Sequence, residues 1–328
     1  IHSHLIARET NVDACSKLDE YVNSIYSEKE FLNYSDVKAC YESTPYNKEN
    51  ATKVIETVKE YLKGFYAYLD QAKEEPNPGF TFRPIDIISE LDLILKNNYS
   101  YEYQFIYDVE NLIGELRDGH TILISDLYNK YRFYQGLSMY SVIKKDGTQQ
   151  IKVFNDIKDP STIDCQVIYI DDRPAINVIT EFARDHTTWS RDLSARFNSA
   201  LASLVFGNGD FSVFGQLFSS RIQLPKNPSI SYTLNCNDKI SKITRKWLVP
   251  ISSSIISQYK SPYISETSVG KATLIFDAFI ARFYKLQDFG VVLISTETIS
   301  NNVYDLLHRF MSDIAIGFKL LADKGIKK

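Results

Sequence analysis

The sequence has no long apolar run, no cluster of basic residues, no metal-ligand spacing and none of the common catalytic signatures. Its longest apolar stretches, such as Ile122-Leu123-Ile124 and Val291-Val292-Leu293-Ile294, fall far short of the roughly 20 residues a helix needs to cross a bilayer. No membrane partner is expected. Lys and Arg number 37 against 41 Asp and Glu, a net charge of -4 with no basic run. Phosphate contacts need clustered cations, so nucleic acid is not an expected partner either. The four cysteines form no Cys-x-x-Cys and no Cys/His ligand spacing, which argues against a metal site. G-x-S-x-G, H-E-x-x-H and G-x-G-x-x-G are all missing. Ser268-Val269-Gly270-Lys271-Ala272-Thr273 approaches a phosphate loop, but Ser265 stands where that motif needs Gly and Ala272 where it needs Ser or Thr. No cofactor is expected. There is no internal repeat and no low-complexity segment.

What is present is enough to bury cores. The chain has 328 residues, 44% of them hydrophobic and 13% aromatic, which suggests about two domains and excludes a disordered chain. The cysteines, Cys15, Cys40, Cys165 and Cys236, allow three pairings, with four free thiols as the alternative. Cys15–Cys40 with Cys165–Cys236 is favoured because it staples each expected domain once. Three Asn-x-Ser/Thr sequons, at Asn33, Asn50 and Asn98, join the cysteines in pointing to a secreted glycoprotein.

The first 120 or so residues read as helices. From Asn50, taken as an N-cap, Val54, Ile55, Val58, Tyr61, Leu62, Phe65 and Leu69 form a 3.6-residue stripe that stops before Glu75-Pro76-Asn77-Pro78-Gly79. Pro84 suits the first turn of a second helix carrying Ile85, Ile87, Ile88, Leu91 and Leu95. A third, from about Ser100, carries Phe105, Val109, Leu112, Ile113 and Leu116, and 122–125 reads as a strand. Past Tyr131 the pattern turns to short strands at 138–144, 150–155, 166–170, 230–236 and 241–249. Helices interrupt them at 175–183 and around 190–205, and 206–210 reads as a loop. A Ser-rich stretch, 252–269, reads as a linker. Strands follow at 272–276, 283–286 and 290–295, then a helix from about Asn301 that closes at Lys324-Gly325. A strand, a helix and a Gly stop make two-thirds of a βαβ unit, whose third element would be a buried parallel strand. The alternative is that 272–286 supplies enough sheet for that helix.

Of the five histidines, His2 and His4 fall at a terminus, His186 in a polar turn and His308 opposite the apolar face of its helix. His120 sits at a helix-to-strand junction after Asp118-Gly119, where a short turn can aim an imidazole into a cleft, a placement suited to a general base near neutral pH.

Glu115-Leu116-Arg117-Asp118-Gly119-His120-Thr121 resembles the L-x-D-G-H-T signature of the C-terminal-processing (tail-specific) serine peptidases. Within them it is most similar to the secreted branch that includes the chlamydial protease-like activity factor and its fungal relatives. Asp164 to Ala175 resembles a PDZ strand-turn-helix, with Asp172 in place of the turn glycine, a residue that tolerates left-handed geometry. Residues 230–247 resemble the closing hairpin of such a domain, and 289–328 look like the beginning of a crotonase-like core. The resemblance implies an α+β multidomain chain: a helical N-terminal domain over 1–128, a PDZ-like β-rich domain over 129–250, and a linker with the truncated start of a crotonase-like α/β peptidase core over 251–328. It further implies a general-base role for His120, with the nucleophilic Ser and its Glu partner expected beyond Lys328, whether that residue is a natural end or not. This chain alone is then expected to be inactive, since a base without nucleophile or oxyanion donors forms no acyl-enzyme. The expected partner is a polypeptide substrate or an extended peptide ligand, with a homodimer left open. The alternative is a non-catalytic peptide-binding module built on the PDZ-like domain. An apolar-ligand role, as in a retinoid-binding branch of the superfamily, is a third.

Overall fold

A computed structural model describes residues 14–25, 31–80, 82–207, 210–251, 273–278, 281–294 and 303–326. The expected linker at 252–269, His2 and His4 lie outside them. The chain divides into two compact units, 1–203 with 215–259, and 204–214 with 260–328. The segment expected as domain 1–128 falls within the first unit, and so does 129–250 apart from residues 204–214.

The first unit opens with α1 (Ala14–Ile25), β1 (Phe31–Asn33) and α2 (Tyr34–Tyr41). The bridge Cys15–Cys40 ties α1 to α2. Three helices follow: α3 (Lys48–Phe65), α4 (Ile87–Ile94) and α5 (Glu102–Gly114). Their starts follow local chemistry. Asn47, not Asn50, caps α3, its side chain accepting from the Asn50 N–H at 2.9 Å; Asn50 lies one turn inside, where a cap cannot reach an orphan donor. Asp86 caps α4 by accepting from the Ser89 N–H at 3.4 Å, which leaves Pro84 in the preceding loop. Gln104 Oε1 accepts from the N–H groups of Ser100 and Tyr101 at 2.9 and 3.2 Å, the reach-back half of a capping box for α5. The apolar stripes then meet. Ile55, Ile87, Leu91, Phe105, Val109 and Ile113 lie in one buried cluster, each contributing roughly 1.5–3 kcal/mol of burial.

The β-rich part contains β2 (Phe133–Tyr134), β3 (Leu137–Ile143), β4 (Gln149–Asp156), β5 (Gln166–Ile170), β6 (Arg173–Pro174), α6 (Ala175–His186) and α7 (Leu193–Ala200). It continues with the two-stranded β7 (Ala202–Gly207) and β8 (Asp210–Gly215), then β9 (Ser220–Arg221), β10 (Ser229–Cys236), β11 (Lys239–Lys246) and β12 (Leu248–Pro250). The main sheet has the order β11-β10-β5-β4-β3, with β6 hairpinned onto β5, and its mapped pairs are antiparallel. Cys165–Cys236 crosses between the neighbouring β5 and β10. Both disulfides match the favoured pairing. At the β5–β6 turn Asp172 takes a φ of 60°, the left-handed conformation expected where the glycine is replaced, and Asp171 before it takes 47° as well. Asp171 is held from both sides: its N–H donates to the Ser231 carbonyl and its carboxylate accepts from the Ser231 N–H, each at 2.8 Å.

Several expectations are corrected here. Residues 122–125 form no strand. Leu123 packs on the helical core while Ile122 and Ile124 are 61% and 60% exposed, and no strand among the described residues pairs with this run. The helical reading of 190–205 holds only for α7, after which the chain turns extended as β7. The run 241–249 splits at buried Trp247: β11 stays in the main sheet, whereas β12 pairs with β1 and β2 in a second sheet of order β1-β12-β2-β9. That second sheet joins β1 to strands of the β-rich part. Val37 and Tyr41 accordingly share one buried cluster with Phe133, Val153, Tyr232 and Trp247.

In the second unit β13 (Thr273–Asp277), β14 (Ala281–Leu286) and β15 (Phe289–Ile294) form an antiparallel meander, and α8 (Val303–Asp323) packs against it. Phe283 is fully buried, with the Phe318 ring edge-on at 5.6 Å. Among the described residues the sheet beneath this helix is therefore antiparallel throughout.

Candidate functional site

The Glu115–Thr121 segment leaves α5 and makes a tight, well-anchored turn. Gly114, the last helical residue, is pressed so close to Thr188 that an added Cβ would lie 2.4 Å from its Cγ2. Arg117 then adopts a φ of 54°, a left-handed conformation that costs an ordinary L-residue roughly 1–2 kcal/mol. Its guanidinium donates to the Thr187 carbonyl at 3.0 Å and the Arg184 carbonyl at 2.7 Å. Burial lowers its pKa. Asp118 closes the turn. Its carboxylate accepts from the His120 N–H at 2.9 Å and from Thr121 Oγ1 at 3.0 Å, and its carbonyl accepts from the Thr121 N–H at 3.1 Å. This is the Asx turn that Asp favours.

His120 is thus fixed through its backbone while its ring is 87% exposed. Nδ1 lies 3.5 Å from Asp118 Oδ1, longer than a good hydrogen bond, and no other side chain pairs with the ring among the described residues. The ring faces solvent, and the described residues close no cleft over it. Around the turn stand Trp189, 43% exposed, and the exposed Ile122 and Ile124. Tyr66 is close enough that Asp118, after burial, raises its phenol pKa, and the Arg191 guanidinium lies over the Phe82 ring at 5.0 Å. The arrangement can accept a proton on an accessible imidazole beside a carboxylate. Among the described residues no nucleophile pairs with that imidazole.

The other two described histidines lie elsewhere. His186 is packed against Phe182 at 5.4 Å between ring centres, and burial, then Arg221, lowers its pKa; His308 is exposed on α8. Sequence reasoning missed Glu110, a buried carboxyl on α5 with one oxygen unpaired. Burial pushes it up to about 7 against the lowering pull of Asn129 and the Ser125 backbone. It also missed Arg117 and its partners some 70 residues away, for which a single sequence offers no signal beyond an arginine inside the motif. An open depression of about 320 Å³ is lined by Arg83, Glu90, Asp108, Asn111 and Glu115. Arg83 there is already bound to Glu90 and Glu115, each at 2.6 Å. Among the described residues no group of His, Cys, Asp and Glu could hold a metal, and no helix is long and apolar enough to cross a membrane.

No family model matches the sequence, and no curated protein matches it. Among solved structures it is similar to mature CPAF, the chlamydial protease-like activity factor, at 11% identity over 82% of this chain and 53% of that one, with a TM-score of 0.42. A second structure, mature CPAF complexed with lactacystin, matches at 13% identity over 72% of this chain and 44% of that one, with a TM-score of 0.43. The chain thus spans about half the length of the solved chains it matches.

Proposed function

We propose that this chain is part of a secreted serine-type endopeptidase of the tail-specific kind, with His120 as its general base. The observation that carries the reading is the turn itself. Asp118 and Gly119 hold the backbone at His120 rigidly yet leave its imidazole unengaged and accessible, which is the state a base needs before a nucleophile is brought to it. Two disulfides fit an oxidising compartment. The nucleophilic Ser and its Glu partner belong to sequence beyond residue 328, so residues 1–328 alone do not hydrolyse peptides at a useful rate. The test is an assay of this chain on a panel of unfolded proteins. No turnover is expected, and turnover lost in His120→Ala would overturn the assignment of inactivity. Reading the coding sequence past residue 328 tests the other half, since a stop codon there contradicts it.

A second reading has its own observation. The main sheet ends in β3 and β11, and β11 carries Lys239, Lys242 and Lys246, so an extended acidic peptide could add there as a further strand. Titrating C-terminal peptides of varied charge against the whole chain separates the two. Binding that is lost with Lys242 and Lys246 replaced, and is unaffected by His120→Ala, favours the binding module.

A further inference from the structure

We propose that Arg117 is the positioning residue for His120, and that through it the imidazole is referenced to the C-terminal end of α6 instead of to the helix that precedes it in sequence. The inference rests on the general-base reading of His120 and deepens it.

Three observations converge. First, Arg117 holds a φ of 54°, a conformation that Gly, Asn and Asp visit readily and Arg does not. Something other than local preference keeps it there. Second, the guanidinium fork spans two carbonyls, those of Arg184 and Thr187. These lie at the end of α6, where the last carbonyls of a helix lack intrahelical partners and carry the negative end of its dipole. Arg196, fully buried, also donates to the Ala183 and Arg184 carbonyls, at 3.3 and 2.8 Å. Third, the motif approaches the same segment again two residues later. Gly119 lies so near that an added Cβ would be 3.3 Å from the Trp189 carbonyl oxygen. Arg117 is thus bonded to the 184–189 segment and Gly119 packs closely against it, and His120 follows directly.

The ring contributes little to its own placement, having only Asp118 at 3.5 Å. Where the imidazole stands is decided by the backbone turn, and the turn is decided by the Arg117 fork. Lysine cannot replace it, because a single ammonium does not span two carbonyls in one plane.

The test is amide hydrogen exchange on the whole chain, comparing wild type with Arg117→Lys, Arg117→Ala and His120→Ala. The amides of His120 and Thr121 donate within the Asp118 turn, so they report its integrity. Both Arg117 variants are expected to lose at least about tenfold of the protection at these two amides, while amides of α5 and β10 keep theirs. His120→Ala is expected to leave the Thr121 amide protected. Retained protection at 120 and 121 in a folded Arg117→Lys or Arg117→Ala chain overturns the proposal. A uniform loss across α5 and β10 also overturns it, since Arg117 would then be a general stability residue. None of these outcomes depends on catalysis, so failure of the peptidase reading and failure of this one are separately visible.

Discussion

Asp156 and Arg245 offer the sharpest test of how the β-rich part is held together. The pair bridges β4 and β11, which are not neighbours in the sheet, and the two side chains are 0% and 7% exposed. Asp156 Oδ1 accepts from Arg245 Nε and from the Lys158 N–H, each at 3.1 Å; Oδ2 accepts from Thr162 Oγ1 at 3.1 Å and from Arg245 Nη2. Every lone pair the carboxylate can offer nearby is used. Asp156→Ala strands a buried guanidinium with two donors unpaired, a change that costs about 3–5 kcal/mol. At roughly 1.4 kcal/mol per tenfold, the folded-to-unfolded ratio should fall by about a thousandfold. Replacing both partners with apolar residues, as in Asp156→Leu with Arg245→Met, removes the stranded charge and should recover most of the loss, giving a coupling of about 3 kcal/mol. Urea unfolding followed by fluorescence reads this directly, because of the two tryptophans Trp247 is buried and sits two residues from Arg245, while Trp189 is 43% exposed. If Asp156→Ala costs less than about 1 kcal/mol, or if the double replacement costs the sum of the singles, the pair is solvated and the reasoning fails.

Three further outcomes are expected. Glu110, held near 7 against about 4.5 when unfolded, binds its proton more tightly folded than unfolded; its contribution is favourable below the unfolded value and is lost as pH rises toward 7, by about 3 kcal/mol in all. Glu110→Gln should therefore stabilise the chain at pH 8 and not at pH 4, and equal effects at both would contradict it. Opening Cys165–Cys236, which closes a separation of 71 residues, should cost about 4 kcal/mol, and opening Cys15–Cys40, with 25, about 3.5; paired Cys→Ser variants in denaturant measure both. Gly114→Ala should destabilise by about 1–3 kcal/mol through its clash with Thr188 Cγ2, and Thr188→Ser, which deletes that methyl, should restore most of it in thermal melts.

How far the sequence was legible depended on the range of the forces involved. Helical stripes and short β-rich runs appear close to where they were read, because a run such as Phe105, Val109, Leu112 and Ile113 selects one face by itself. Asp172 was legible for the same local reason, whereas the left-handed Asp171 beside it was not foreseen. The disulfide pairing followed from which pairs could staple a domain. Illegible were features set by distant partners. The 122–125 run has strand-like residues and no strand to pair with, and Trp247 marks a corner because β1 waits some 200 residues earlier to receive β12. At the candidate site, the turn that follows α5 around His120 was readable, but the exposure of the ring and the reach of Arg117 to the Arg184 and Thr187 carbonyls were not.

The second sheet has a consequence for how this chain can be divided. Leu32 pairs with Val249 across it, and the Tyr41 ring meets those of Tyr128 and Phe133 at 5.4 and 6.4 Å. The β-rich part therefore borrows one wall of its interior from the first forty residues. A fragment excised at 129 would be born with that wall open, an apolar gap fringed by tyrosines. Such a fragment would adhere to peptides, to vessel surfaces and to itself, and an affinity measured on it would belong as much to the wound as to any groove.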